Sequence, residues 1–251
     1  MKHKTILMII INFFMLTRHM FRNCKYNFKP SIFISLGIIL LFFTVSCEKR
    51  TTEIKKLPIY GSREAVEKTD NDGKTITDTL YHTIGDFSFV DQDSNFITPQ
   101  TFEKKIYVTD FFFSTCPSIC PKMAAQMLRV YETYENEERF KILSHTIDPA
   151  HDTVQVLKAY AENLGVNAST WHFVTGKKED LFNMGKKNYM IAVVEDEAAA
   201  GGFFHGGHFL LIDHNKHIRG IYDGTDSLEV SELIDDIPIL LNELESAQLD
   251  L

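Results

Sequence analysis

"IYVTDFFFSTCPSICPKM", residues 106–123, changes character halfway along. Residues 106–113 are apolar, aromatic and β-branched with little interruption, the pattern of a strand buried on both faces. From Met123 onward the apolar positions Met123, Met127, Val130, Tyr131 and Tyr134 recur at helical spacing, which predicts an amphipathic helix to about Glu137. Cys116 and Cys120 stand between the two patterns. Pro121 lacks an amide hydrogen and, deep inside a helix, would clash with the carbonyl of Pro117, so it belongs in the first turn or just before it. Both thiols are therefore expected at an electropositive helix amino terminus, where thiolate is favoured and a cysteine pKa typically falls to between about 3.5 and 7.5.

Downstream, "KILSHTID" at 141–148 reads as the next strand. Asp152 with Gln155 opens "TVQVLKAYAENLG" as a capping box would, and Gly165 closes it. A short strand "WHFVT", a helix near 178–188, and a hairpin of "HFLLID" and "HIRGIYDG" around "HNK" follow. The last helix, about 227–246, starts at Asp226 with Glu229 as its box partner and should be kinked by Pro238. This alternation describes an α/β domain whose central sheet is covered on both sides. A cysteine pair between the first central strand and the first long helix is the placement found in thioredoxin-like folds.

Upstream the chain is of another kind. Residues 30–46 carry no charge, and Arg22, Lys25 and Lys29 precede them while small residues close them, the order of a secretory signal. Cys47 follows directly, where a bacterial lipobox has its lipidated cysteine, although Thr44 stands where leucine is usual. A second apolar run at residues 5–16 leaves Met20 as an alternative start and a membrane hairpin as an alternative topology. Residues 1–46 are thus read as signal or anchor, 47–80 as a polar tether with an irregular entry, and 81–251 as the folded domain. This arrangement predicts a membrane-anchored, extracytoplasmic protein of the cell envelope, held by a lipid on Cys47 or by an N-terminal helix.

Of 26 basic residues, six lie before residue 47, where no acidic residue occurs, so the remainder carries 20 basic against 34 acidic side chains. A surface with net charge near −14 repels phosphate backbones, which excludes nucleic acid as a partner. Once Cys24 leaves with the signal and Cys47 is lipidated, Cys116 and Cys120 are the only thiols left, too few for a disulfide scaffold.

Spacing leaves three uses open for that pair: a small structural bridge, a redox couple, or part of a metal site. If the segment makes about one helical turn, two thiolates can converge on one external point, and an imidazole from elsewhere would complete a site suited to copper; zinc also accepts such ligands, though structural zinc normally takes four. Among ten histidines, His145 and His172 read as packing or surface residues, and His214 and His217, flanking a turn, as solvated. His205 ends "EDEAAAGGFFHGG", where paired glycines on either side suggest a mobile loop able to carry an imidazole to a distant site. His208 starts a strand and is read as packed inward, with a ligand or transfer role as the alternative. Asp148 ends a strand beside the cysteine strand, and its Asp-Pro pair suits a turn as well as a carboxylate near the site. Met123 and Met127 read as core.

"FFFSTCPSICPKM", "TIDPAHDT" at 146–153, "HGGHFLLID" and "GIYDGT", in that order, resemble the successive motifs of the Sco/SenC family of copper-binding assembly proteins. The resemblance runs from "LPIYG" at residue 57 to about residue 246. It implies a thioredoxin-like domain and one copper ion held by Cys116, Cys120 and His205, with Asp148 and His208 as candidates for a supporting shell. Many relatives have aspartate directly before the ligand histidine; here it is Phe204. The implied work is copper delivery to the recipient subunit of cytochrome c oxidase, by binding rather than turnover. The rival is a thiol-disulfide oxidoreductase working through a Cys116–Cys120 redox disulfide on the oxidase or other exported proteins. A peroxidase using Cys116 would leave His205 without a role.

Overall fold

The structure, a computed structural model, describes residues 55–69, 73–195 and 203–249, with the side chains of residues 195 and 203–205 outside that description. Both upstream apolar runs, the alternative start at Met20, and Cys47 fall outside the described residues. Among those described, no helix is long and apolar enough to cross a membrane.

In chain order the elements are β1 (Arg63–Thr69), β2 (Thr75–Tyr81), β3 (Phe89–Asp91), β4 (Phe96–Ile97), a 3-10 turn (Pro99–Phe102), β5 (Ile106–Phe112), α1 (Cys120–Tyr134), β6 (Phe140–Thr146), α2 (Val154–Leu164), β7 (Trp171–Thr175) and α3 (Lys178–Asn183). There follow a π-helical turn (Met184–Asn188), β8 (Val193–Glu195), β9 (Phe203–His205), β10 (His208–Ile212), β11 (Ile218–Asp223) and α4 (Ser227–Leu249). Seven strands form one sheet in the order β11-β10-β5-β6-β7-β3-β4. The pairs β5–β6 and β6–β7 are parallel, whereas β10 and β3 add antiparallel, so the sheet is mixed as the thioredoxin-like reading requires.

All seven residues of β5 are buried, which accounts for its apolar run: neither face meets water. Phe112 packs on Tyr160 of α2, while Phe111 turns the other way onto Tyr189 and His145. α1 buries Met123, Met127, Val130 and Tyr131, the stripe its spacing predicts; both methionines are core residues. Fully burying such side chains contributes roughly 1.5–3 kcal/mol each. α1 also packs on α4, where the proline's effect is visible. Pro238 has no N–H for the carbonyl of Ile234, and the Tyr134 hydroxyl donates to that carbonyl instead, at 2.7 Å.

Several boundaries differ from the sequence reading. Within and just beyond residues 47–80, read as tether, Arg63–Thr69 and Thr75–Tyr81 pair as a largely exposed antiparallel ribbon of β1 and β2, and Tyr60 is already bridged to Ile218. β3 and β4 carry too few residues to show a period. α2 is capped by Thr153, whose hydroxyl accepts from the Val156 amide at 3.4 Å, and not by Asp152; Gly165 ends it in the left-handed conformation at φ 73°. Asp226 does accept from the Leu228 amide at 2.7 Å, but Glu229 reaches the Asp223 amide at 2.6 Å and leaves its side of the capping box unmade. His214 and His217 are half-buried rather than solvated.

Candidate metal centre

β5 delivers the chain to the carboxyl end of the sheet at Phe112, a tight turn follows in which the Cys116 amide donates to the Phe113 carbonyl at 3.2 Å, and α1 begins at Cys120 with Pro121 in its first turn. Cys116 and Cys120 are both free thiols, 7% and 3% exposed, and they hydrogen-bond to each other. Their environments separate them. Burial works against the Cys116 thiolate, but hydrogen bonds from Cys120 and Ser118, whose hydroxyl lies 3.5 Å from the sulfur, outweigh it and hold the Cys116 pKa below the ordinary thiol value. Burial pushes Cys120 strongly up, and its hydrogen bond to Cys116 adds to the rise. The pair is therefore asymmetric, with Cys116 the more readily ionised thiol and Cys120 the more reluctant one.

Two buried carboxylates stand beneath this turn. Asp110, on the α1 side of β5, accepts from Ser144 at 2.5 Å, and Ser144 in turn accepts from the Trp171 indole N–H at 2.9 Å. Burial pushes the Asp110 pKa up to about 7. It lines a small cavity with Cys120, Met123 and Tyr160. Asp152, fully buried, accepts from the Ser114 amide at 3.1 Å and from the hydroxyls of Ser114 and Thr146. Asp148 is half-buried and closes a turn through its backbone: its amide donates to the Thr146 hydroxyl at 3.0 Å, and its carbonyl accepts from the amides of His151 and Asp152. These bonds are those of the turn its Asp-Pro pair suits, and they involve only the backbone of Asp148.

Position 205 stands in a strand, while residues 196–202 of the glycine-flanked segment read as a mobile loop lie outside the described residues. β8 and β9 pair antiparallel, with Val193 opposite His205, and Val193 is fully buried. Gly206 and Gly207 both have negative φ, so they are glycines for closeness rather than for backbone freedom. A Cβ on Gly207 would stand 3.4 Å from Ile119 Cδ1 and 3.7 Å from Met123 Sδ, which flank Cys120. The backbone two residues beyond His205 thus lies against the start of α1; the His205 imidazole itself is outside the described side chains. His208 is exposed, contrary to the inward reading, because it sits at the first rung of β10, opposite Asp223 at the end of β11. Its Nδ1 stands 2.8 Å from where a Cβ on Gly206 would be.

His145 and His172 are packed in the interior. His145 is fully buried among aromatic rings with its pKa lowered by burial to about 3, and His172 meets Asp91 at 3.1 Å. Among the described residues no group of three His, Cys, Asp or Glu side chains is arranged to hold a metal ion. Sequence reasoning missed Asp110, Ser144 and Ser114 and misassigned Asp152. The available signal was Asp110 itself, a lone acid in an otherwise apolar buried strand.

The SCO1/SenC family model matches residues 76–241. The SCO1 protein homolog of Bacillus subtilis (strain 168) is 25% identical over 167 residues, spanning 66% of this chain and 86% of its own length. The crystal structure of a SCO1/SenC family lipoprotein from Bacillus anthracis superposes with a TM-score of 0.59 at 28% identity, covering 64% of this chain and 95% of that one. Copper-bound ScoI from Arabidopsis thaliana shares the fold, with a TM-score of 0.54 at 20% identity over 64% of this chain and 99% of its own. With the family model spanning most of the described domain and its motifs standing on one edge of a thioredoxin-like sheet, this chain belongs to the SCO1/SenC family.

Proposed function

We propose that this protein is a copper carrier that holds one copper ion through Cys116, Cys120 and His205 and hands it to the copper centre of cytochrome c oxidase. The observation that carries the reading is the pair of free, touching thiols at the start of α1, with the Cys116 thiolate favoured. Two soft sulfurs and an imidazole suit copper in either oxidation state, and a two-sulfur set needs a third donor from elsewhere in the chain. The close approach of Gly207 to Ile119 and Met123 supports His205 as that donor. Support also comes from relatives: the Arabidopsis ScoI structure has copper bound, and BsSco is described as a member of the Sco family of cytochrome c oxidase assembly proteins. The signal-like run before Cys47 supports an extracytoplasmic protein tethered to the membrane by lipid.

Copper titration of the purified full chain tests this. One equivalent should bind in wild type with sulfur-to-copper charge transfer, be lost in Cys116→Ala, and bind markedly more weakly with an altered spectrum in His205→Ala. A triple variant at positions 116, 120 and 205 that kept full copper affinity would overturn the reading.

A second reading, thiol-disulfide exchange, is favoured by the asymmetry of the two thiols. The Cys116 thiolate would attack a partner disulfide and expel one partner thiolate; Cys120, after losing its proton, would then attack the Cys116 sulfur, releasing the second partner thiolate and closing the Cys116–Cys120 disulfide. The partner is reduced by two electrons and this protein oxidised by two. Reductase activity that survives His205→Ala but disappears in either cysteine variant would select this reading over copper carriage.

A further inference from the structure

We propose that Asp152 is the positioning residue of the thiol turn: it ties the end of β5 to the end of β6 and thereby fixes where Cys116 stands. The inference rests on the reading that the two thiols are the working groups. Asp152 is fully buried, and the donors that meet it, the Ser114 amide and the Ser114 and Thr146 hydroxyls, are all neutral. A hydroxyl has one proton to give. Ser114 and Thr146 each spend theirs on Asp152, so both side chains are locked, and the Thr146 oxygen is left to accept from the Asp148 amide at 3.0 Å.

Ser114 precedes Cys116 by two residues, within the turn that the Cys116 amide closes on Phe113. On the other side, Thr146 is the register partner of Phe112, and the Ile147 amide donates to the Phe112 carbonyl at 2.9 Å. The carboxylate therefore joins two strand ends just beyond the point where sheet hydrogen bonds run out. Burying a carboxylate among neutral donors is an expensive way to hold a fold together. It is not needed to start α2, because Thr153 caps that helix. What the arrangement secures is a rigid departure of the chain from β5 toward the first thiol.

The test uses full-length Asp152→Asn and Ser114→Ala, with Thr153→Ala as the neighbouring control. It reads the rate of Cys116 alkylation by iodoacetamide, the dithiol-disulfide equilibrium in glutathione buffers, and thermal melting. An amide keeps one acceptor oxygen and puts an N–H group where the other stood, facing a hydroxyl that now donates there, so one of these hydrogen bonds must be lost or reversed, and Asp152→Asn should change the alkylation rate and the glutathione equilibrium constant each by about three-fold or more. Ser114→Ala should shift both in the same direction by less, and Thr153→Ala should lower the melting temperature while leaving both thiol readouts at wild-type values. The proposal is overturned if folded Asp152→Asn matches wild type in both thiol readouts, or if Thr153→Ala moves them equally. Should Asp152→Asn fail to fold, Ser114→Ala decides alone, and unchanged thiol readouts overturn the proposal. Neither readout uses copper, so wild-type protein that bound no metal would refute the copper reading and leave this one to be judged separately.

Discussion

The two ends of the sheet bury negative charge in opposite ways. At the carboxyl end of β5, beside the thiols, Asp110 has a serine hydroxyl for a partner and Asp152 has two hydroxyls and an amide. At the other end, where antiparallel β10 finishes, Asp213 meets the guanidinium of Arg219 at 3.0 Å and accepts from the amides of Asn215 and His217 at 2.9 Å each. Arg219 also donates to both carboxylate oxygens of Glu243 in α4 and to the carbonyls of Leu57 and Pro58, which pins the entry of the chain to the domain. One end is a neutralised clamp. The other buries two acidic side chains beside the thiols with only neutral hydrogen-bond donors for partners, and such departures from cheap burial concentrate where chemistry is done.

The comparison breaks most visibly at Arg219. Arg219→Ala strands Asp213 and Glu243 and frees the entry segment, so it should cost about 3–5 kcal/mol in urea unfolding, while Cys116 alkylation in the folded population stays at the wild-type rate. A cost below about 1 kcal/mol would mean that this end is no more a clamp than an ordinary surface pair.

Asp110 sharpens the contrast with pH. Its pKa is raised to about 7, so between about pH 4 and 7 the folded protein keeps a proton that the unfolded chain releases. Its contribution to stability therefore falls as pH rises through that window and is level above it. Asp110→Asn should remove this slope and be more stable than wild type above pH 7 by on the order of 1–3 kcal/mol. The buried neutral His145 acts in the opposite sense, losing stability as pH falls from the ordinary histidine range toward 3, and comparing wild type with variant at each pH cancels it. Parallel urea midpoints from pH 4 to 8 in the two proteins would refute the assignment.

The smallest effect belongs to Thr153, next to Asp152 in sequence but engaged in an ordinary helix cap. Thr153→Ala should cost about 1 kcal/mol by thermal melting, with copper and thiol behaviour unchanged. Adjacent residues would then separate stability from positioning.

Much of the fold was legible because its signals are local. The unbroken apolar run of β5, the spacing of Met123, Met127, Val130 and Tyr131, Gly165 after α2 and the turn between β10 and β11 each follow from steric or solvation rules acting within a few residues. The same rules set both cysteines at the start of a helix. They failed where short-range patterns are ambiguous. Asp152 and Thr153 are both good caps, and only the presence of Ser114 and Thr146 across two strand ends draws Asp152 away. Gly206 and Gly207 read as loop residues although they serve close approach to His208 and Ile119. His208 reads as buried because it begins a buried strand, yet the strand's first rung lies at the rim.

By itself, then, the sequence determined the order of the long elements from β5 to α4, the family, and the placement of the thiol pair at a strand-to-helix turn. Tertiary structure alone decided that the two sulfurs touch, that their proton affinities diverge, that Asp110 and Asp152 lie beneath them, and that the backbone after His205 packs against the helix carrying Cys120. The physical reason is range: propensity, capping and hydrophobic period act over a turn or a few strand residues, whereas desolvation and hydrogen bonding between strand ends depend on groups about forty to ninety positions apart that meet only when the core closes.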